Sequence, residues 1–372
     1  MKIMLVARAI DNMAGGVEKM AISLMNAMIE RGNEVELFTW DLSNAMAFYS
    51  MSAKINWYKL NMGNPWEKAG FKLIMKRALI IRNHIKQCKP DIIVCFQAGP
   101  FISMRIYTLG MGIPFIAAER NAPSLFDHVK KGLRKSFIMQ GLFFADRITI
   151  QCESYRSLYP AFLQKKICTI PNPVYPVEVL AHPQESLNGR FGLLSVGRLE
   201  FQKNYAALIR AFERISANFP EWDLVVVGEG GERYQLEKLI EELGIVNRVI
   251  LTGIQNNVTD WYAQSHVFCL PSRWEGFPNA LAEALAHGLP CVGFKDCSGV
   301  SDLLVDGYNG LLASGNDNVE SLADSLKKLM SNPDLRKKMG NNASISMQKY
   351  KPEIIFDGWE ALFKEIADKK KV

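Results

Sequence analysis

Val267-Phe268-Cys269-Leu270-Pro271-Ser272-Arg273-Trp274-Glu275-Gly276-Phe277-Pro278-Asn279-Ala280-Leu281-Ala282-Glu283-Ala284 is the stretch on which the fold turns. Val267–Leu270 is apolar at every position, so a strand here is covered on both faces. The chain then leaves the strand in a loop and enters a helix at about Pro278, a residue whose missing N–H costs nothing in a first turn. Strand, loop and helix repeat outward in both directions. Phe191–Val196, Asp223–Val227, Val249–Leu251 and Cys291–Gly293 read as further strands in the second half. Ile3–Ala7, Glu34–Phe38, Ile92–Phe96, Pro114–Ala118 and Arg147–Ile150 read as strands in the first, with helices near 17–31, 71–88 and 129–144. The fold class is therefore α/β, with parallel doubly wound sheets.

A chain of 372 residues suits two cores. Three prolines within Ile170-Pro171-Asn172-Pro173-Val174-Tyr175-Pro176 forbid regular structure and stiffen a connector. Two Rossmann-like domains, 1–175 and 186–354, are expected on either side, joined near residues 171–188. Ligands of such sheets bind beyond the carboxyl ends of strands, so the expected site is the cleft between two facing domains.

Composition excludes several classes. With 48% apolar and 22% charged residues the chain is no disordered tail. Its seven cysteines are scattered, without CxxC pairs or metal-finger spacing, and imply a reducing compartment and no disulfide framework. The apolar run after Lys2 is about six residues before Arg8, too short for a signal peptide. Candidate spanning segments are broken by Arg134, Lys135, Asp146 and Arg147. The net charge of +6 hides an asymmetry: residues 1–180 carry 23 Lys+Arg against 13 Asp+Glu, and residues 181–372 carry 21 against 25.

The loops after the strands carry the chemistry. Gly15-Gly16 opens a helix after the first strand; glycines permit positive φ and close backbone approach, and the helix end offers amides to an anion. It is not a full GxGxxG, so no dinucleotide fingerprint is present. Gly197-Arg198-Leu199-Glu200-Phe201-Gln202-Lys203-Asn204 follows Leu193–Val196. There Arg198 and Lys203 supply a guanidinium fork and a point charge suited to gripping a diphosphate and neutralising a leaving group. Gly228-Glu229-Gly230-Gly231 and Gly253 lie after the next strands, where the chain can pass close to the same ligand. In the quoted stretch Glu275 sits in the loop and Glu283 on the helix, and the intervening helix end points amides near Gly276 and Phe277 toward a phosphate.

Together, Gly197-Arg198…Lys203-Asn204, Glu275-x7-Glu283, the Gly15-Gly16 loop and Gly310-Leu311-Leu312 after Asp306-Gly307 resemble the retaining glycosyltransferases of family 4, with the GT-B fold. The resemblance covers nearly the whole chain. It implies that the C-terminal domain binds a nucleotide sugar, with Arg198 and Lys203 on the diphosphate, Glu283 on the ribose and Glu275 on the donor sugar. Backbone around Gly276, Phe277, Asn279 and Ala280 contributes. It also implies a last helix, about 355–372, that returns to the N-terminal domain, and a reaction needing no metal or other cofactor; no DxD motif is present. Many members place a histidine after the fourth N-terminal strand. Here Val94-Cys95-Phe96-Gln97-Ala98-Gly99-Pro100 has none, and the next loop offers Glu119-Arg120-Asn121 instead. Glu119 would orient or deprotonate an acceptor hydroxyl, while Arg120 would bind a phosphate or balance Glu119; the other reading is an ion pair capping a strand. His287 ends a helix before Gly288 and His84 is one of several polar residues on a helix; neither is assigned to catalysis.

The basic half points to the acceptor. On helix 71–88 the residues Ile74, Ala78, Ile81, Ile85 and Cys88 form a core stripe, with Lys72, Lys76, Asn83 and Lys86 opposite and Arg82 beside them. A second basic segment, Lys130, Lys131, Arg134 and Lys135, precedes Phe137, Ile138, Leu142, Phe143 and Phe144, a pattern that suits a bilayer surface. The chain is similar to bacterial N-acetylgalactosaminyltransferases that extend lipid-linked oligosaccharides, in which a basic N-terminal helix binds the acceptor pyrophosphate. The partners expected are a nucleotide-sugar donor, a lipid-linked glycan acceptor bound by Lys72, Lys76, Lys86, Glu119, Arg120 and Asn121, and an anionic membrane touched from the cytoplasmic side. No nucleic acid is expected, since aromatics do not interleave the charged face. The expected reaction moves a hexose or N-acetylhexosamine, GalNAc foremost, from UDP. The competing readings are a GT-B nucleotide-sugar epimerase, which needs acid and base groups on both sugar faces, and a non-catalytic nucleotide-sugar-binding partner.

Overall fold

The computed structural model describes residues 1–67, 69–123 and 132–369, the side chains of 132–134 excepted. It divides into two compact units, Met1–Pro173 with Glu353–Val372, and Val174–Pro352.

The first unit is built on a seven-stranded sheet of order β3-β2-β1-β4-β5-β6-β7. Its strands are β1 (Lys2–Val6), β2 (Glu34–Thr39), β3 (Asn56–Lys59), β4 (Ile92–Phe96), β5 (Phe115–Ala118), β6 (Arg147–Ile150) and β7 (Ile167–Thr169), and every neighbouring pair is parallel. Ile3 pairs with both Val35 and Ile92, which puts β1 at the centre. Met4, Val6, Leu37, Ile92, Val94 and Ile116 are sealed from solvent, as two-sided helix cover requires. The chain's last helix, Pro352–Lys369, belongs to this unit, with Trp359 fully buried and Arg31 reaching Asp357 at 2.9 Å.

The second unit carries a six-stranded, all-parallel sheet of order β10-β9-β8-β11-β12-β13. Here β8 is Phe191–Val196, β9 Trp222–Val227, β10 Val249–Gly253, β11 Val267–Leu270, β12 Cys291–Phe294 and β13 Gly310–Ala313. Strand order reverses between β1 and β4 in the first sheet and between β8 and β11 in the second. These are the switch points where loops diverge and a crevice opens at the carboxyl ends. The quoted stretch runs out of β11, and the Gly197–Asn204 segment runs out of β8, so both border the second switch point.

The structure adds elements that the sequence pattern does not signal: β3, β7, β13 and a helix, Ala98–Tyr107. The added strands are short, and β3 exposes Asn56 and half-exposes Trp57, Tyr58 and Lys59, so no apolar run marks it. The helix Asn279–Ala286 starts one residue later than expected. Pro278 is its N-cap, and its carbonyl accepts the first helical bond from Ala282 at 3.0 Å.

The helix Phe71–Cys88 departs from its expected stripe. Ile74 is exposed, and the buried face is Arg77, Ile81 and Ile85. Arg77 is drawn inward because it donates to the Met62 carbonyl at 2.5 Å. Phe71, Ile74, Met75 and Leu79 are left on the surface beside exposed Lys72 and Lys76. Arg82 is no free surface cation either: it donates to the Tyr107 and Leu109 carbonyls at 3.0 and 2.9 Å, closing the end of the neighbouring helix. In the second basic segment the described helix is Gly132–Leu142; Lys130, Lys131 and the side chain of Arg134 lie outside the described residues. Phe137, Phe143 and Phe144 are exposed. All seven cysteines are free thiols. Among the described residues no helix is long and apolar enough to cross a membrane.

Candidate active site

Two loops of the second unit are fastened together at its switch point. Gln202 donates from its side chain to the Trp274 carbonyl at 2.7 Å, and the Arg273 amide donates to the Gln202 carbonyl at 2.9 Å. The Arg273 guanidinium lies 4.0 Å from the Phe201 ring centroid and 3.2 Å from Asp317 Oδ1, the same oxygen that accepts from the Asn204 side chain at 2.5 Å. Asn204 itself is left-handed (φ 55°), which lets the chain turn from the loop straight into the helix Tyr205–Ser216.

This fastening brings Lys203 and Glu275 into contact. Lys203 Nζ donates to Glu275 Oε1 at 2.7 Å, and the Ser272 hydroxyl donates to the same oxygen at 2.6 Å. The two side chains are 15% and 6% exposed, so the pair is largely desolvated. Arg198 stands apart, 70% exposed and paired with Glu200 at 2.7 Å. The two cations expected on one diphosphate thus have different settings: one buried and engaged with the motif carboxylate, one on the surface.

Glu283 is half-buried on the helix Asn279–Ala286, and the hydroxyl of Tyr262 donates to its Oε2 at 3.1 Å. Tyr262 in turn stacks on His287, centroids 5.0 Å apart, and His287 Nδ1 meets the Glu283 carbonyl at 2.7 Å. Burial holds His287 below the usual imidazole range, so it acts as a neutral helix cap. Gly276, Asn279 and Ala280 are half-buried, whereas the Phe277 side chain turns into the core against Tyr350. Phe277 therefore has only backbone to offer a ligand.

The glycines of the neighbouring strand ends have a packing reason. A Cβ on Gly228 would sit 2.0 Å from the Gly197 carbonyl oxygen, and one on Gly230 2.4 Å from that of Leu199. Gly253 (φ 73°) accepts from the Gly228 amide at 3.0 Å. The ends of β8, β9 and β10 thus close on one another through bare backbone. That fixes the path of the Gly197–Lys203 loop.

The remaining expected residues lie in the first unit. Gly15 is the N-cap of the helix Gly16–Glu30 with φ −87°, so it does not use the left-handed region; the positive φ of this loop falls on Asn12 instead. Glu18 folds back on Gly15, and burial raises its carboxyl. Glu119 and Arg120 follow β5 and are 8% and 4% exposed, while Asn121 is exposed. The Arg120 guanidinium lies between the Phe96 and Trp359 rings, 5.2 Å from each centroid. Among the described residues its three nitrogens have no hydrogen-bond partner. Burial pushes the Glu119 carboxyl up to about 7, against the pull of Arg120 and of the Ala98 amide. Burial likewise brings Arg120 down to about 9. Lys72, Lys76 and Lys86 are all exposed on one helix.

His84 is the main departure from expectation. It is not one polar residue among several but packs inward, its ring stacked 3.7 Å from Tyr58 and its Nε2 in contact with the buried Glu36 carboxylate. The cue was a charged residue inside an apolar strand.

Residues 14–177 match the family model described as Glycosyltransferase Family 4, and residues 181–345 match that described as Glycosyl transferases group 1. The chain is a GT-B glycosyltransferase of family 4. Among its relatives, an uncharacterized glycosyltransferase of Haemophilus influenzae is 27% identical over 94% of this chain and 96% of its own. An α-1,4-N-acetyl-D-galactosaminyltransferase of Campylobacter jejuni is 25% identical over 98% and 99%; its name specifies a glycan on diphospho-undecaprenol as substrate. Sucrose-phosphate synthase of Thermosynechococcus elongatus superposes with a TM-score of 0.83 over 98% of both chains at 18% identity, a likeness of fold. In this family 4 glycosyltransferase the matched models cover the first sheet from β2 to β7 and the whole of the second, including every residue of the two fastened loops.

Proposed function

We propose that this glycosyltransferase is a retaining enzyme that moves GalNAc from UDP-GalNAc to a lipid-linked glycan, without a catalytic metal. The observation that carries the reading is the desolvated Lys203–Glu275 pair at the switch point of the second sheet, with Glu283 fixed by Tyr262 on the following helix. Lys203 and Arg198 neutralise the departing diphosphate, Glu275 meets the sugar, and Glu283 accepts from the ribose hydroxyls. The acceptor attacks on the face the nucleotide leaves, and the departing phosphate takes its proton. Glu119 orients the acceptor hydroxyl.

The Campylobacter relative, matched over almost its full length, supports GalNAc and a polyprenyl-diphosphate acceptor. The exposed lysines of the helix Phe71–Cys88, with Phe71, Met75 and Leu79 among them, support contact with an anionic bilayer. The test is release of UDP from UDP-GalNAc, UDP-GlcNAc and UDP-glucose, each with and without a synthetic polyprenyl-diphosphate glycan, with the product's anomeric configuration read by NMR. Acceptor-dependent turnover of UDP-GalNAc to an α-linked product is the expected result. Tight donor binding with no turnover on any acceptor would favour a non-catalytic partner.

A further inference from the structure

At the end of the first sheet away from the loops just described, three donor groups of different chemistry converge. Glu36 is 3% exposed in the middle of β2; His84 and Cys88 lie one turn apart on the helix Phe71–Cys88 and face it. A carboxylate oxygen of Glu36, a ring nitrogen of His84 and Cys88 Sγ lie within 4.8 Å of one another.

The surroundings hold these groups in place. Asn56 of β3 donates to Glu36 Oε2 at 3.1 Å, which leaves Oε1 turned to His84. Tyr58, also of β3, stacks on the His84 ring and fixes its plane. A cavity of about 390 Å³, lined by Glu36, Asn56, Lys2 and Lys54 among others, adjoins this part of β2; His84 and Cys88 are not among its lining residues. An ion pair between His84 and Glu36 accounts for two of the three groups. The Cys88 thiol, one helical turn on at ligand distance, makes a long 3.8 Å contact with the Ile85 carbonyl of its own helix and is no part of that pair.

We propose that Glu36, His84 and Cys88 form a three-ligand site for Zn²⁺, with water completing the coordination. Thiolate, imidazole and carboxylate together are the donor set of a borderline d¹⁰ ion. Asn56 and Tyr58 supply the outer support that ligating side chains require. On binding, the Cys88 thiol gives its proton to solvent and the His84 ring binds through Nε2 in its Nδ1–H tautomer, as Zn–S, Zn–N and Zn–O bonds form. The ion ties the basic helix to the sheet and takes no part in sugar transfer, so the site stands or falls separately from the donor and acceptor proposed above.

The experiment strips untagged full-length protein with a chelator and titrates it with Zn²⁺ against a competing chromophoric chelator, then with Co²⁺ for its spectrum. The wild type is expected to take up one equivalent, and Co²⁺ to show a thiolate charge-transfer band. Cys88→Ser removes that band and weakens Zn²⁺ at least about 100-fold, Asn56→Ala weakens it about 10–100-fold, and Cys168→Ser changes neither. No uptake by the wild type, or wild-type uptake by Cys88→Ser, overturns the proposal. Folding of each variant is read from circular dichroism, and because serine is nearly isosteric with cysteine, Cys88→Ser decides the question even where His84→Ala does not fold.

Discussion

Removing the positive end of the Lys203–Glu275 pair separates what this contact does for the fold from what it does for the reaction. In Lys203→Met the Glu275 carboxylate, 6% exposed, keeps the Ser272 hydroxyl at 2.6 Å but loses its counter-charge. Breaking a buried pair by removing one partner costs about 3–5 kcal/mol, because the other charge stays desolvated. For a unit of this size, about 1 kcal/mol moves the melting temperature by roughly 2–4 °C, so the loss is roughly 6–20 °C. Lys203→Met/Glu275→Gln removes the orphaned charge and should recover at least half of that loss, giving a coupling energy of about 1–3 kcal/mol. Turnover behaves differently. It should fall about 100–1000-fold in Lys203→Met, as expected when one donor to a developing anion is lost, and stay down in the double variant. Stability comes from calorimetry and urea unfolding, and turnover from UDP release. A coupling energy under about 0.5 kcal/mol, or turnover restored in the double variant, would refute the reasoning.

Glu275→Gln alone frees Lys203 for phosphate oxygens, so UDP should bind more tightly, by about tenfold, while sugar transfer falls; titration calorimetry with UDP checks this, and weaker UDP binding counts against it. Glu119 has its folded pKa raised to about 7 from 4.5. The folded state therefore holds its proton more tightly than the unfolded chain, so the contribution of Glu119 to stability is fully present below about pH 4.5 and is lost as pH rises through about 7. Urea midpoints should show that decline in the wild type and lose it in Glu119→Gln. Gly228→Ala places a Cβ 2.0 Å from the Gly197 carbonyl at φ 144° and should cost several kcal/mol or prevent folding, whereas Gly231→Ala, with nothing within 4 Å, should stay within about 1 kcal/mol in the same assay. Neutralising Lys72, Lys76 and Lys86 to Gln should weaken binding to phosphatidylserine vesicles by about 3 kcal/mol, roughly 100-fold, with UDP affinity unchanged; loss of UDP affinity instead would break the assignment of this helix to the acceptor side.

The strands that the sequence announces are those buried on both faces. β4 reads Ile-Ile-Val-Cys-Phe, β5 Phe-Ile-Ala-Ala and β11 Val-Phe-Cys-Leu, apolar at every position. Edge strand β3 mixes Asn, Trp, Tyr and Lys because one side meets solvent, and so the pattern fades where burial is partial. For the site, the residue types were legible and their contacts were not. Lys203 and Glu275 are 72 residues apart and meet only because β8 and β11 are neighbours, a fact of strand order that no local spacing carries. Ser272 lay inside the motif without a role until its hydroxyl was seen on Glu275, and Tyr262 had no signal at all, being 21 residues from Glu283 on a separate helix. Arg82 shows the converse error: read beside the basic face, it is spent on two backbone carbonyls that a helix end would otherwise leave bare.

The buried pair also changes what a diphosphate would have to do on the proposed reading. Lys203 is not a waiting cation, since its ammonium is already satisfied by Glu275 at 2.7 Å in a largely desolvated place. A diphosphate gains it only by exchange, and the exchange is favourable because the ligand brings more negative charge than one carboxylate and can also draw on exposed Arg198. On that reading Glu275 is released from its cation while Ser272 still holds one of its oxygens, so the carboxylate stays oriented for the sugar hydroxyls. A ligand with a diphosphate but no sugar would separate the pair without replacing the contact Glu275 loses; a sugar without a diphosphate would meet the carboxylate still paired with Lys203. If Lys203 and Glu275 serve the donor as proposed, one ion pair makes recognition of the two halves of a nucleotide sugar interdependent, which two separate charges on a surface would not do.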